Sequence, residues 1–200
     1  MFLELLSHNG TLEPTAEETA EALDRAAIYR SGPDHLEIVV DGYINREMYD
    51  RLKQQIDAAP CAHYLTLMIN SDGGECAPSI DLYILLRRHP APIKVALLQS
   101  RCESAAVLIA LAADLRIAQA DTNILLHPTS YELHKGSVRW TAKDIEEKAA
   151  ELRSIDDDFN TITSQRTGCD VAIIQRESET EQPSTLAWCL ANGFVHEVQS

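Results

Sequence analysis

Four short apolar runs, Leu36–Val40 (LEIVV), Tyr64–Ile69 (YLTLMI), Ile93–Leu98 (IKVALL) and Ile124–Leu126 (ILL), alternate with stretches of helical period, and this alternation constrains the fold more than any other feature. Each run is bounded by Pro, Gly, Asp or Asn and reads as a strand. Between them the periodicity predicts helices over Asn45–Ala58, with Asn45 as cap, over Ala77–Arg88, stopping before Pro90, and over Ser104–Ala113. Alternation of this kind builds βαβ units. The expected class is α/β, a mostly parallel sheet with helices on its faces and reactive groups at the carboxyl ends of strands.

With 200 residues the chain can bury roughly 70% of its unfolded surface, so a core needs no disulfide or metal staple. Its charge of -14, from 17 basic and 31 acidic side chains, opposes attraction to phosphate backbones and anionic membrane, which argues against nucleic acid and membrane partners. Five cysteines, Cys61, Cys76, Cys102, Cys169 and Cys189, fall at irregular intervals without a C-x-x-C pair, the usage of a reduced, cytoplasmic protein. The opening MFLELLSHNG lacks the basic and apolar regions of a secretory signal, and no segment reaches the roughly 20 apolar residues of a membrane span.

Outside the alternating units, Thr15–Arg30 reads as an acidic helix with Thr15 as cap and Glu18 in the capping-box position. The polar stretch TSYELHKGSVRW, beginning at residue 129, reads as a loop or arm leading to a long helix that starts at Thr141. Along that helix Ile145, Ala149, Leu152, Ile155, Phe159 and Ile162 form one apolar stripe over about 25 residues, or roughly 38 Å. Either the stripe packs across its own sheet or it meets another subunit.

Three segments could carry chemistry. Asn70-Ser71-Asp72-Gly73-Gly74 lies between a strand and a helix, where paired glycines can turn backbone N–H groups outward toward an oxyanion or a phosphate; a plain tight turn is the simpler alternative. Arg101-Cys102-Glu103-Ser104-Ala105-Ala106 puts a serine at a strand-to-helix junction among small residues, as a nucleophile requires, although an N-cap serine uses the same position. His127 closes the ILL strand and can serve as a general base or remain a surface residue. The other histidines, His8, His35, His63, His89, His134 and His196, have no metal-ligand spacing.

Taken in order, strand-INSDGG, helix, strand-RCESAA, helix, strand-ILLH resembles the ClpP family of self-compartmentalising serine peptidases, whose pattern is INSPGG, a serine among small residues, then a histidine. Here 30 residues separate Gly74 from Ser104 (104 − 74) and 23 separate Ser104 from His127 (127 − 104). WTAKDIEEKAAELRSIDDDFNTITSQRTG is similar to the family's handle helix, and the resemblance spans residues 36–198. It implies the ClpP/crotonase-like ββα-superhelix with a projecting handle. It also implies one domain over 1–200: a divergent N-terminal segment 1–35, a core 36–128, the handle arm and helix 129–168, and the rest of the core 169–200.

By the same resemblance Ser104 is the nucleophile, His127 the base, and the N–H groups of Gly74 and Ala105 the oxyanion hole. The register of the LANGFV turn places Glu181 at the family's acidic third member, with Glu177 and Glu179 close by in sequence. The implied protein is a serine endopeptidase that cuts peptides or unfolded proteins inside a homo-oligomeric chamber of heptameric, stacked rings, without cofactor or metal. An ATP-driven unfoldase is the partner the family implies, but residues 1–35 do not match the family's axial-loop segment. Asp72 replaces the family's Pro, Glu103 a small residue and Ala106 a glycine. These departures raise a second reading, a catalytically silent ClpP-fold subunit that assembles or regulates. A third, a crotonase-fold acyl-CoA enzyme, comes from AADLRIAQAD, which is similar to a segment of that superfamily.

Overall fold

The computed structural model describes residues 34–131 and 139–199. The expected helix over Thr15–Arg30 and most of the arm after residue 131 lie outside the described residues. Strands β1 (His35–Asp41), β2 (Tyr64–Ser71), β3 (Ile93–Glu103), β4 (Leu115–Gln119) and β6 (Glu197–Gln199) lie side by side in that order, and β5 (Asn123–Leu125) pairs with the far end of β3. Every strand pairing is parallel, as the alternation requires. The fold is α/β, a parallel sheet with flanking helices.

Helix α1 (Arg46–Ala58) starts where expected, because the Asn45 side chain accepts from the Met48 N–H at 2.9 Å. It buries Met48, Leu52 and Ile56, one stripe at spacings of four. Helix α2 (Cys76–Arg88) follows the glycine pair, and α3 (Ala105–Ala110) follows the serine. All six residues of α3 are buried, so its sequence is apolar on every side. It packs within one core with Leu67 and Ile69 of β2 and Leu82 and Leu86 of α2.

Two sequence expectations shift at their ends for tertiary reasons. The strand expected to stop at Leu98 continues to Glu103, because Arg101, Cys102 and Glu103 pair with Asn123, Ile124 and Leu125. The helix expected to reach Ala113 ends at Ala110. Beyond it, the carbonyl of Leu111 accepts from Arg166, and that of Ala113 from both Arg166 and Arg116, at 2.8 to 2.9 Å. Arg116 is 1% exposed and also bonds the carbonyls of Gly193 and Phe194, so β4, α3 and the C-terminal turn share one buried guanidinium.

Helix α4 (Ala142–Thr167) carries the long apolar stripe. Thr141 and Asp144 close a capping box at its start, and Gly168 at φ 73° ends it. Burial rises along the stripe: Ile145 is 56% exposed, Leu152, Ile155 and Phe159 are half-buried, and Ile162 is buried. The first turns of α4 therefore stand away from the described core while its last turns belong to it. Helices α5 (Val171–Ser178) and α6 (Leu186–Ala191) complete the chain, and no described helix is long and apolar enough to cross a membrane.

Candidate active site

The backbone at the β3–α3 junction adopts φ 56°, ψ -125° at Ser104, a region that residues with a Cβ rarely enter. Such a conformation costs on the order of 1–3 kcal/mol and persists only where its surroundings impose it. Here they do. On one side the Ser104 N–H is fixed to the Leu125 carbonyl of β5 at 2.8 Å; on the other the wholly buried α3 begins at once. Between the register pairs Ile69–Leu98 and Ser71–Cys102, β2 advances two residues and β3 four, which lifts the end of β3 out of regular pairing just before the serine.

The glycine pair is fitted to that junction. A Cβ on Gly73 (φ 91°) would stand 2.7 Å from the Ser104 Cβ and 2.8 Å from the Glu103 carbonyl oxygen, so the loop packs directly on the serine turn. A Cβ on Gly74 would meet the Ile44 carbonyl oxygen at 2.1 Å. The loop is clamped by Ser71, fully buried, whose hydroxyl donates to the Gly42 carbonyl at 2.6 Å and accepts from the Gly73 N–H at 3.0 Å. Asn70 donates to Asp41 at 2.8 Å. Gly73, Ser71 and Asn70 are thus site-building residues of the NSDGG segment that the sequence singles out, although only Gly74 of it receives a role there.

The N–H groups of Gly74 and Ala105 have no hydrogen-bond acceptor among the described residues. Both residues and Ser104 line a cavity of about 460 Å³, and His127 lines it too. Free backbone donors beside a hydroxyl are suited to hold a developing oxyanion. The structure thus brings Ser104, His127, Gly74 and Ala105 to one cavity, although no hydrogen bond joins Ser104 to His127. The His127 ring lies on the next residue, with Nδ1 2.8 Å from the Pro128 carbonyl oxygen. A carbonyl only accepts, so Nδ1 carries a proton, and in the neutral ring the lone pair is then on Nε2.

The acidic side chains distribute differently. Glu181 is exposed, sits at φ 51° after α5 with its N–H on the Ser178 carbonyl, and neither lines the cavity nor bonds His127. Glu179 lines the cavity, and Glu177 is half-buried in α5. The acidic stretch is anchored beside the histidine strand, since the Ser184 N–H bonds the Ile124 carbonyl at 2.8 Å. Next to the serine, burial and then the nearby Asp72 push the Glu103 carboxyl up, while Arg101 and His127 act against them. Asp72 itself pairs with Arg101 at 2.7 Å, so two residues of the motif segments form one exposed ion pair.

Comparison with known proteins bears on the family and the fold. The sequence model of the Clp protease family matches residues 22–200. The ATP-dependent Clp protease proteolytic subunit 1 of Rhodococcus jostii is 26% identical over 135 residues, 67% of this chain and 60% of its own length. The corresponding subunit 2 of Mycobacterium leprae is 28% identical over 135 residues, so the chain spans about 60% of the length of these curated relatives. Subunit 2 of Thermobifida fusca is 27% identical over 188 residues, 94% of this chain and 87% of its own. Among solved structures, a point mutant of ClpP1 from Listeria monocytogenes superposes with a TM-score of 0.67 at 19% identity, covering 82% of this chain and 91% of that one, a likeness of fold.

Proposed function

The chain belongs to the Clp protease family, and from that premise we propose that it is a serine endopeptidase working through Ser104 and His127. The observation that carries this reading is the constrained backbone of Ser104, packed against Gly73 at the wall of the cavity it shares with His127. Ser104 Oγ attacks the peptide carbonyl carbon as its proton passes to Nε2 of His127. The carbonyl electron pair moves onto oxygen, where the N–H groups of Gly74 and Ala105 receive it. The C–N bond then breaks, and His127 returns its proton to the leaving amine. Water repeats the sequence on the acyl-enzyme, releasing the acid and restoring Ser104. Glu181 is the proposed third member, brought to His127 when the site aligns.

In this reading residues 1–200 form one domain, peptides or unfolded proteins are the substrates, and copies of the chain enclose the serines in a ring. The half-exposed stripe of α4 supports the assembly. A fluorophosphonate tests the chemistry: it should label Ser104 in the wild type and leave Ser104→Ala and His127→Ala unlabelled, each with under a few per cent of wild-type kcat. Absence of labelling in the assembled wild type would overturn the reading. Glu181→Gln should lose more activity than Glu179→Gln or Glu177→Gln; equal mild losses would remove Glu181 from the site.

The separation of Ser104 from His127 and the exposure of Glu181 favour a second reading, a silent subunit that assembles or regulates, which the same labelling distinguishes. The match of the Clp protease family model to residues 22–200 favours the peptidase over the acyl-CoA reading; AADLRIAQAD forms β4 and its flanks, with Arg116 bonded to the carbonyls of Ala113, Gly193 and Phe194.

A further inference from the structure

Asp156 is a charged residue on the inward face of an amphipathic helix. With Phe159, Asn160 and Thr163, at spacings of three, four and seven, it lines the cavity that holds Ser104 and His127. A half-buried carboxylate on such a face needs a donor, and it has one: Oδ1 accepts from the Thr129 backbone N–H at 2.7 Å. That N–H belongs to the same peptide group as the Pro128 carbonyl, which receives Nδ1–H of His127 at 2.8 Å. In a trans peptide the C=O and N–H point in opposite directions, so the ring lies on one edge of a rigid plane and the carboxylate on the other.

We propose that Asp156 is a positioning residue for His127, acting through the Pro128–Thr129 peptide. The inference rests on the peptidase reading for its effect on rate, though not for its structural content. An oxygen that accepts the Thr129 N–H polarises the peptide and strengthens the carbonyl on its other edge as an acceptor, because hydrogen bonds in a chain reinforce one another, and a charge on that oxygen adds to the effect. A stronger acceptor holds the proton on Nδ1 and the ring in one orientation, leaving Nε2 as the lone-pair nitrogen that a base needs. In the arrangement described, where Glu181 does not bond His127, Asp156 thus does the orienting part of a third member's task across a peptide plane. It depends on a tether between the handle-like helix and the segment that follows the base.

The experiment compares Asp156→Ala and Asp156→Asn in the full chain, using hydrolysis of a fluorogenic peptide and the 15N spectrum of histidine-labelled protein, with His127→Ala identifying the resonance. Asp156→Ala should lower kcat about tenfold, the worth of one charge-assisted hydrogen bond, with KM changed less than about twofold, and should shift His127 from the Nδ1–H toward the Nε2–H tautomer. Asp156→Asn keeps a carbonyl oxygen for Thr129 and should retain the Nδ1–H tautomer and kcat within about threefold. An Asp156→Ala protein with wild-type kcat and tautomer would overturn the proposal. So would equal losses in both variants with an unchanged tautomer, which would leave Asp156 a role in folding only. If the wild type takes no fluorophosphonate, the peptidase reading fails by itself, and the tautomer comparison still decides the relay.

Discussion

Ser104 and Gly73 hold each other in place: the serine occupies φ 56° against a glycine at φ 91° whose missing Cβ leaves the only room available. Replacing Ser104 by Gly removes the backbone penalty together with the hydroxyl. Ser104→Gly should therefore raise stability by about 1 kcal/mol over Ser104→Ala while both remain inactive, measured by thermal unfolding beside fluorophosphonate labelling. Gly73→Ala should act in the opposite sense, displacing the serine turn, with a loss of about 2 kcal/mol and slower labelling. Glu103 supplies a second test at this scale. Its carboxyl is pushed up, so on acidification the charge beside the nucleophile is lost earlier than at an ordinary glutamate. Glu103→Gln should raise kcat/KM by up to about tenfold at pH 8 and by much less at acid pH, because only the ionised form opposes an oxyanion. A constant ratio across pH would show that Glu103 does not act through its charge.

Among the elements, α4 divides into an end that belongs to the core and an end that does not. Ile162 is buried under it, whereas Ile145 at the other end is 56% exposed. A helix with its apolar stripe in water is an association surface, and the proposed ring would cover it. Ile155→Asp, at a half-buried position of the stripe, should break the particle into smaller species in sedimentation, and activity should fall with it. A wild type that sediments as a monomer with full peptidase activity would exclude this role for α4. At its other end α4 is tied to α3 and β4 by Arg166, which bonds the carbonyls of Leu111 and Ala113 and pairs with Asp114 at 3.0 Å. The helix that begins at the serine is thus closed off by the helix that projects.

At the scale of the whole molecule, one titrating group that bears on stability, His196, does not line the cavity. His196 accepts the Arg116 N–H at Nδ1, 3.0 Å away, and burial followed by the Arg116 guanidinium pushes its pKa down to about 4. The unfolded chain takes up that proton near pH 6.5, the folded one only near pH 4. Stability is therefore present in full above about pH 6.5, falls as the pH is lowered from there to about 4, and then ceases to depend on this group. His196→Gln should flatten the dependence over that interval in denaturant titrations. An unchanged slope would place the acid sensitivity in the many carboxylates of this chain of charge -14.

Much of this was legible in the sequence because it is local or periodic. Alternating strand and helix patterns specify a parallel sheet, Asn45 and Thr141 mark helix starts by their own side chains, and a serine before an all-apolar helix marks a sharp junction. The order of the glycine, serine and histidine segments pointed to the family whose model matches residues 22–200. Tertiary structure decided what depends on partners distant in sequence. The extension of β3 to Glu103 exists because β5 pairs with residues 101–103, and the early end of α3 goes with arginines 116 and 166 taking the carbonyls that follow it, those of Leu111 and Ala113. The β4 strand was missed because its arginine reads as a surface residue until the turn at Ala113, the end of α4 and the Gly193–Phe194 turn fold around it. Asp156 was passed over for the same reason: a carboxylate beside an apolar stripe acquires meaning only when the Thr129 N–H, 27 residues earlier, is folded against it.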